Sequence, residues 1–377
     1  MKHKIALITI NTSWNIFNFR VGLLKALQKE GYKIVCVAPY DDYSKKLEEL
    51  GFEYYEIKMN NKGTNPVEDM KLIRDYYALY KKINPDVILQ YTIKPNIYGS
   101  IAARLLGKNV ISNISGLGTV FLNDNLSSKI ARWLYKVSLV NNKLFFQNSE
   151  DKNLFVKNGL VKETQTDLLP GSGINTDIYK PSEDIEANEK LTFMMIARLV
   201  RDKGIGEYIE AIKIIKQKYQ NVEFKLLGSL YPGNPTAVSQ DELNSWIDEG
   251  LINYLGHSDD VKSEILKVDC VVLPSYREGL SRVLLEAGAL AKPIVTTNTP
   301  GCKDVVDDNI NGFLCEVKSS SSLADAMEKM INLSNKDRKA MGQKSREKII
   351  GEFDEKLVIE KYNIEINKFD NKENICI

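Results

Sequence analysis

Histidine is almost missing from this chain of 377 residues: only His3 and His257 occur. Catalysis by a histidine base or a histidine-rich metal centre is therefore not expected. No Asp-x-Asp pair occurs, so a carboxylate pair bridging a metal to a diphosphate has no sequence signature here. The five cysteines (Cys36, Cys270, Cys302, Cys315, Cys376) are scattered and odd in number, with no C-x-x-C, which argues against a zinc site or disulfide framework and for a reducing compartment. No apolar run reaches 18 residues, so no membrane span is expected. The formal net charge is only +1, which disfavours a nucleic-acid binder. A G-x-G-x-x-G after the first strand is absent, which disfavours a dehydrogenase. The apolar run in "MKHKIALITINTSWN" is too short for a signal h-region and leads into a periodic helix. It reads as a first strand, and a cytoplasmic location is expected.

What the chain does have is alternation. Strand-length apolar runs such as "KIALITI", "KIVCVAP", "DVILQYT", "NVISNIS" and "KLFFQN" alternate with helix-period segments. These helices include "NIFNFRVGLLKALQKEG", "NPVEDMKLIRDYYALYKKINP", "NIYGSIAARLLG" and "SSKIARWLYKVSLVNN". Near-continuous apolar strands between amphipathic helices indicate a parallel sheet covered on both faces. Gly31, Gly51 and Gly107 fall where helix C-caps belong. Pro, Gly and Ser accumulate in "LLPGSGINTDIYKPSED", and a second alternating set then runs from "LTFMMIARLV" to "GFLCEV". The reading is α/β: two Rossmann-like, doubly wound domains facing a ligand cleft, over residues 1–170 and 171–355. Residues 356–377 form a C-terminal helix and tail packing back on the first domain, with the last few residues disordered.

The second half concentrates the chemistry. "ARLVRDKG" puts Arg198 at a strand end and Lys203 in the turn before a helix. This is either a solvated charged loop or a diphosphate clamp, Arg giving a fork and Lys a movable charge. In "PSYREGLSRVLLEAGALAKP", Pro274 ends a strand, Gly279 allows close backbone approach, and a helix begins near Leu280 or Ser281. The free amides of that first turn are an anion site. Glu278 and Glu286 are eight residues apart. On one continuous helix that is roughly 12 Å along the axis and about 80° around it. Glycosidase carboxyl pairs lie about 5 Å apart or about 6.5–9.5 Å apart, so these two cannot flank one scissile bond. Alone, Glu286 reads as a surface helix residue. Together with the cations and the helix start, the two carboxylates fit a nucleoside diphosphate with a polyol at each end, Glu286 at the ribose and Glu278 at the sugar.

Glu278-x7-Glu286, with Arg198 and Lys203 upstream, resembles the donor site of the retaining GT-B glycosyltransferases, a family rich in bacterial surface-glycan enzymes. "PGSGINTDIYKP", "INYLGHSDDV", "VVLPSYREGLSRVLLEAGALAKPIVTTNTPGCKDVV", "NGFLCEV" and "YTIKPNIYGSIAARLLGK" extend the likeness over almost the whole chain. The resemblance implies transfer of a hexose or N-acetylhexosamine from a UDP-sugar, with retention, to a polyprenyl-diphosphate-linked saccharide, without a metal or other cofactor. Glu278, Arg198 and Lys203 are then the catalytic set, the two cations neutralising the departing diphosphate. Gly279, Leu280, Ser281, Arg282, Val283, Glu286, Gly256 and His257 line the donor. Acceptor-side residues fall in the first half: Thr12, Trp14, Asn15, Lys94, Asn96, Ser115, Gly116 and Gly118. Ser115 stands where many relatives carry a histidine, and the first strand-to-helix turn lacks their glycines. A front-face route, with the leaving phosphate accepting the proton, needs no protein base.

Two features stay open at this level. Trp14, Phe17 and Phe19 are either core or acceptor-facing. Lys129, Arg132, Lys136 and Lys143 form either a solvated cationic face or a dock for an anionic membrane, giving peripheral association with the inner face of the plasma membrane. The alternatives in function are a GT-B nucleotide-sugar epimerase, which the scarcity of histidine disfavours, or a non-catalytic nucleotide-sugar binder.

Overall fold

The computed structural model describes residues 4–60, 65–116, 126–182 and 189–375. The chain divides into two units, Met1–Ser172 with Glu355–Ile377, and Gly173–Asp354. The expected α/β class with two Rossmann-like parallel sheets is observed.

The first unit holds β1 (Ile5–Thr9), β2 (Lys33–Ala38), β3 (Glu53–Glu56), β4 (Val87–Tyr91), β5 (Asn109–Ile114), β6 (Lys143–Phe146) and β7 (Thr166–Leu168). All pairings are parallel, in the order β3-β2-β1-β4-β5-β6-β7. The order reverses between β1 and β4, so the crevice at their carboxyl ends is where such a sheet binds ligands. β1 and β4 are almost fully buried, with side chains on both faces packed under helices. The carboxy-terminal helix Glu355–Ile375 lies on this unit: Val358, Tyr362 and Ile366 join the core cluster of Ile8, Leu24 and Phe145. The helix carries into the tail that was expected to be disordered.

The second unit holds β8 (Leu191–Ile196), β9 (Val222–Leu227), β10 (Asn253–Gly256), β11 (Cys270–Leu273), β12 (Ile294–Thr297) and β13 (Gly312–Cys315). They form a parallel sheet in the order β10-β9-β8-β11-β12-β13, whose switch point lies between β8 and β11. The polar segment after residue 318 forms the helices Ser320–Asn332 and Asn335–Glu352 in this unit before the last helix begins.

The segment read as one helix from "NIFNFRVGLLKALQKEG" is two, Ser13–Phe19 and Val21–Lys29, broken at Arg20 (φ −128°). Lys143, grouped with the cations of the helix Leu126–Ser138, begins β6, the strand read from "KLFFQN", and pairs with Glu365 at 3.2 Å. Gly31, Gly51 and Gly107 do sit past helix ends with φ of 93°, 83° and 64°. Among the described residues, no helix is long and apolar enough to cross a membrane.

Cys36, Cys270, Cys302 and Cys315 are buried free thiols. Burial is the main cause that raises all four, Cys302 to about 11 and Cys315 to about 12. A disulfide-exchange reagent at neutral pH should therefore label none of the four until the protein unfolds. Labelling of any of them at the rate of a free thiol in the native protein would contradict this.

Candidate active site

Every strand of the second sheet runs the same way, so the loops after β8, β9, β10, β11 and β12 emerge at one edge. Backbone contacts tie them together. Gly228, after β9, has φ 151°, and a side chain there would collide with the Ala197 carbonyl after β8. Its amide donates to the Gly256 carbonyl after β10 (2.7 Å).

Arg198 and Lys203 come from the loop after β8. Arg198 is exposed, with its guanidinium 5.1 Å from the Tyr231 ring centroid. Lys203 closes a short 3-10 turn, Arg201–Lys203, ended by Gly204 at φ 77°. A side chain at Gly204 would drive into the Pro274 carbonyl at the end of β11. Glycine thus lets the Lys203 turn press directly on the neighbouring strand end.

That approach joins the two predicted catalytic groups. Lys203 Nζ and Glu278 Oε1 form an ion pair, with side chains 21% and 14% exposed. Ser275 Oγ donates to the same carboxylate oxygen at 2.7 Å. The Glu278 amide donates to the Pro300 carbonyl (3.1 Å), and the Ser281 amide to that of Gly301 (3.0 Å). The Glu278–Ser281 backbone is therefore held by the loop after β12. The helix that follows is Arg282–Ala289, and its N-cap residue Ser281 makes no side-chain hydrogen bond to it, as a helix start that takes an anion would require. Gly279 and Leu280 lie in the loop before it, and Val283 is in its first turn.

Glu286 is 7% exposed, which overturns the reading of it as a surface residue. Its Oε1 accepts from Arg282 Nε (3.0 Å) and Tyr179 OH (3.3 Å). Arg282 also donates to the Gly173 carbonyl. Gly256 has φ 69°, and His257, exposed, lies 3.2 Å from Asp259. Gly256 ends the edge strand β10 and His257 follows it, three strand spacings from β11, roughly 14 Å. His257 is not brought to the Lys203–Glu278 pair.

Sequence reasoning missed Ser275, Gly204, Gly301 and Tyr179. Ser275 and Gly204 adjoin singled-out residues, and both lay in quoted motifs. Tyr179 reaches Glu286 from 107 positions away, which no local spacing reports.

In the first unit the acceptor-side candidates gather at the carboxyl ends of β1, β4 and β5. Thr12 caps the helix Ser13–Phe19, its hydroxyl accepting from the Asn15 amide (3.2 Å). Trp14 is 44% exposed and edge-on to Phe19, so it is not core, whereas Phe17 is partly buried against the first unit's core. Lys94 pairs with Asp69 at 2.9 Å, both largely buried. Asn96 is buried and donates to the Asn113 carbonyl (2.9 Å). Ser115 donates to Asn113 Oδ1 (3.1 Å), and Gly116 has φ 128°. Gly118 lies outside the described residues.

Comparisons with known proteins agree with this layout. The family "Glycosyl transferases group 1" matches residues 178–348, and "Glycosyl transferase 4-like" matches residues 4–149. The chain is 26% identical to the N,N'-diacetylbacillosaminyl-diphospho-undecaprenol alpha-1,3-N-acetylgalactosaminyltransferase of Campylobacter jejuni, over 92% of this chain and 94% of that one. It is 25% identical to the UDP-Gal:alpha-D-GlcNAc-diphosphoundecaprenol alpha-1,3-galactosyltransferase of Escherichia coli, over 76% of each. Among solved structures, a Rickettsia africae glycosyltransferase superposes with a TM-score of 0.80 at 17% identity, covering 98% of this chain and 99% of that one. Anabaena HepE in complex with UDP superposes with 0.78 at 16% identity, covering 97% and 100%. The second unit thus matches a group 1 glycosyltransferase model and the first a 4-like one, and the chain has the fold of solved glycosyltransferase structures.

Proposed function

We propose that the protein transfers a hexose or N-acetylhexosamine from a UDP-sugar to a polyprenyl-diphosphate-linked saccharide, with retention of configuration and without a resident metal. The observation that carries the reading is the Lys203–Glu278 ion pair at the β8/β11 switch point, with Arg198 on the same edge and an uncapped helix start beside it. A departing nucleoside diphosphate gains negative charge, and fixed cations and amides offset it. Arg198, Lys203 and the first-turn amides supply that charge. Glu278, next to Lys203, faces the transferred sugar. Glu286, held by Arg282 and Tyr179, sits a turn further in, toward the ribose; Gly279, Leu280, Ser281 and Val283 frame the diphosphate, and Gly256 and His257 the base side.

In the reaction the bond from the anomeric carbon to the diphosphate oxygen breaks, and a bond to the acceptor hydroxyl oxygen forms on the same face. The acceptor proton passes to the leaving phosphate oxygen. Two relatives are named as forming alpha linkages to diphosphoundecaprenol-bearing sugars, which supports both the acceptor class and the configuration. Incubation with a panel of UDP-sugars and a polyprenyl-diphosphate saccharide, followed by NMR of the new anomeric centre, should give the α product. A β product rules out retention.

The helix Leu126–Ser138 offers a membrane dock. Lys129, Ile130, Trp133 and Lys136 are exposed along one face, with Ile130 49% and Trp133 61% accessible. Arg132 is turned partly inward, its Nε donating to the Ser128 carbonyl (3.4 Å), so it is not part of that face. Near-surface cations contribute roughly 1 kcal/mol each on anionic lipid. Lys129→Gln with Lys136→Gln should thus weaken co-sedimentation with anionic vesicles about thirtyfold. Unchanged partitioning would remove this helix from the docking surface.

A further inference from the structure

The first unit contains a buried cation that the donor chemistry does not use. Arg20 breaks the first helical segment in two and is 6% exposed. Its guanidinium lies 4.4 Å from the ring centroid of Tyr91, the last residue of β4. It forms no ion pair among the described residues, and its Nε, also buried, has no hydrogen-bond partner among them. Burying a guanidinium without a carboxylate is costly, and stacking on a ring offsets only part of that cost.

The surroundings are equally unsatisfied. Thr92, next along from Tyr91, has φ 64°, a left-handed conformation that a β-branched residue adopts only under constraint. Its Oγ1 is buried and unpartnered, as are Asn96 Oδ1 and Asn15 Oδ1. Asn96 follows Thr92 by one turn, its amide donating to the Thr92 carbonyl (3.1 Å). Asn15 lies on the short helix that ends at Arg20. The platform beneath is rigid: Tyr91 OH is 2.7 Å from Tyr362 OH, to which Asn113 Nδ2 also donates (3.4 Å). All of this sits at the β1/β4 switch point, where a parallel sheet of this order takes its ligand.

We propose that Arg20 and Thr92 form a phosphate site in the first unit and that it holds the phosphate adjoining the acceptor sugar, with Asn15 Oδ1 and Asn96 Oδ1 accepting from that sugar's hydroxyls. The buried cation and the Thr92 hydroxyl donate to an oxyanion. The two amide oxygens call for hydroxyl donors. A sugar phosphate supplies both. The assignment to the acceptor rests on the transferase reading above; the existence of the phosphate site does not.

The test uses the full chain and inorganic diphosphate as probe. The double variant Arg198→Ala/Lys203→Ala removes the two donor-site cations of the second unit, so diphosphate binding that a further change at Arg20 takes away reports the first. Adding Arg20→Gln to that background should weaken binding at least tenfold without lowering Tm, because it deletes an uncompensated charge. Unchanged diphosphate affinity overturns the site. If the Gln variant does not fold, Arg20→Lys decides on the same measure, since it keeps the charge but loses the fork: weakened binding is expected, and equal affinity overturns the proposal. For the source of the phosphate, a polyprenyl-diphosphate saccharide should displace the probe at this site and UDP should not. In turnover, Arg20→Lys should raise KM for the acceptor at least tenfold with KM for the UDP-sugar unchanged. Displacement by UDP, or a rise confined to the donor KM, overturns the acceptor assignment alone.

Discussion

Replacing Lys203 by alanine should lower kcat by about 10²–10³-fold while the protein stays folded by circular dichroism. Removing one preorganised group that offsets developing charge typically costs this much. Lys203 is held for that role by Gly204, whose lack of a side chain lets the turn touch Pro274, and by its ion pair with Glu278. Glu278→Ala should produce a loss of similar size, because it removes the group that orients Lys203 and, on the proposed reading, the contact to the transferred sugar. The double variant should lose little more than the worse single one, as groups acting as a unit are not additive. Steady-state rates of the three variants check this. Multiplying losses would mean that the pair does not act together, and wild-type turnover in either single variant would remove it from the site.

The second large effect is expected at a glycine that touches no ligand. Gly301, at φ 76°, supports the Glu278 loop from below. A Cβ there would lie 2.5 Å from the Glu278 carbonyl oxygen and 2.7 Å from that of Gly279. Alanine therefore carries a left-handed backbone penalty of about 1 kcal/mol and must also push two backbone carbonyls outward. The loop held by the Ser281-to-Gly301 hydrogen bond has to shift, carrying Glu278 away from Lys203. A displacement near 1 Å of a catalytic group can cost about 100-fold in rate. Gly301→Ala should thus lose about that factor in kcat with a fall in Tm of only a few degrees, read by turnover and thermal unfolding of the same preparation. Unaltered turnover would show that the Glu278 loop has slack.

Much of this was legible in the chain because parallel sheets write themselves as apolar runs. The strands that lead to Arg198 and Glu278 are buried on both faces, so "LTFMMI" and "CVVLP" stand out, and the loops after them place the polar residues. Other features depend on partners distant in sequence. The break falls at Arg20, whose guanidinium meets Tyr91, 71 positions on, a contact that no local spacing reports. Taken alone, Glu286 reads as a surface residue, because its neighbours Arg282 and Tyr179 close over it only in three dimensions. β7 is three residues long, too short for any period to appear. Lys143 opens the strand run "KLFFQN", and its ion pair with Glu365 from the last helix takes it away from the cations of Leu126–Ser138. Glu278 and Glu286 are not on one helix: as a start near Leu280 or Ser281 implies, Glu278 precedes the helix and only Glu286 lies within it.

The central claim is that the second unit binds the UDP moiety through Arg198, Lys203 and the helix start at Ser281. Thermal unfolding with UDP tests it most directly. At about 100 times its Kd, a ligand that binds only the native state stabilises it by about 2.7 kcal/mol, which raises Tm by roughly 5–10 °C for a protein unit of this size. The wild type should show that shift, and Arg198→Ala/Lys203→Ala should not. An equal shift in both proteins, or none in the wild type, would contradict the account.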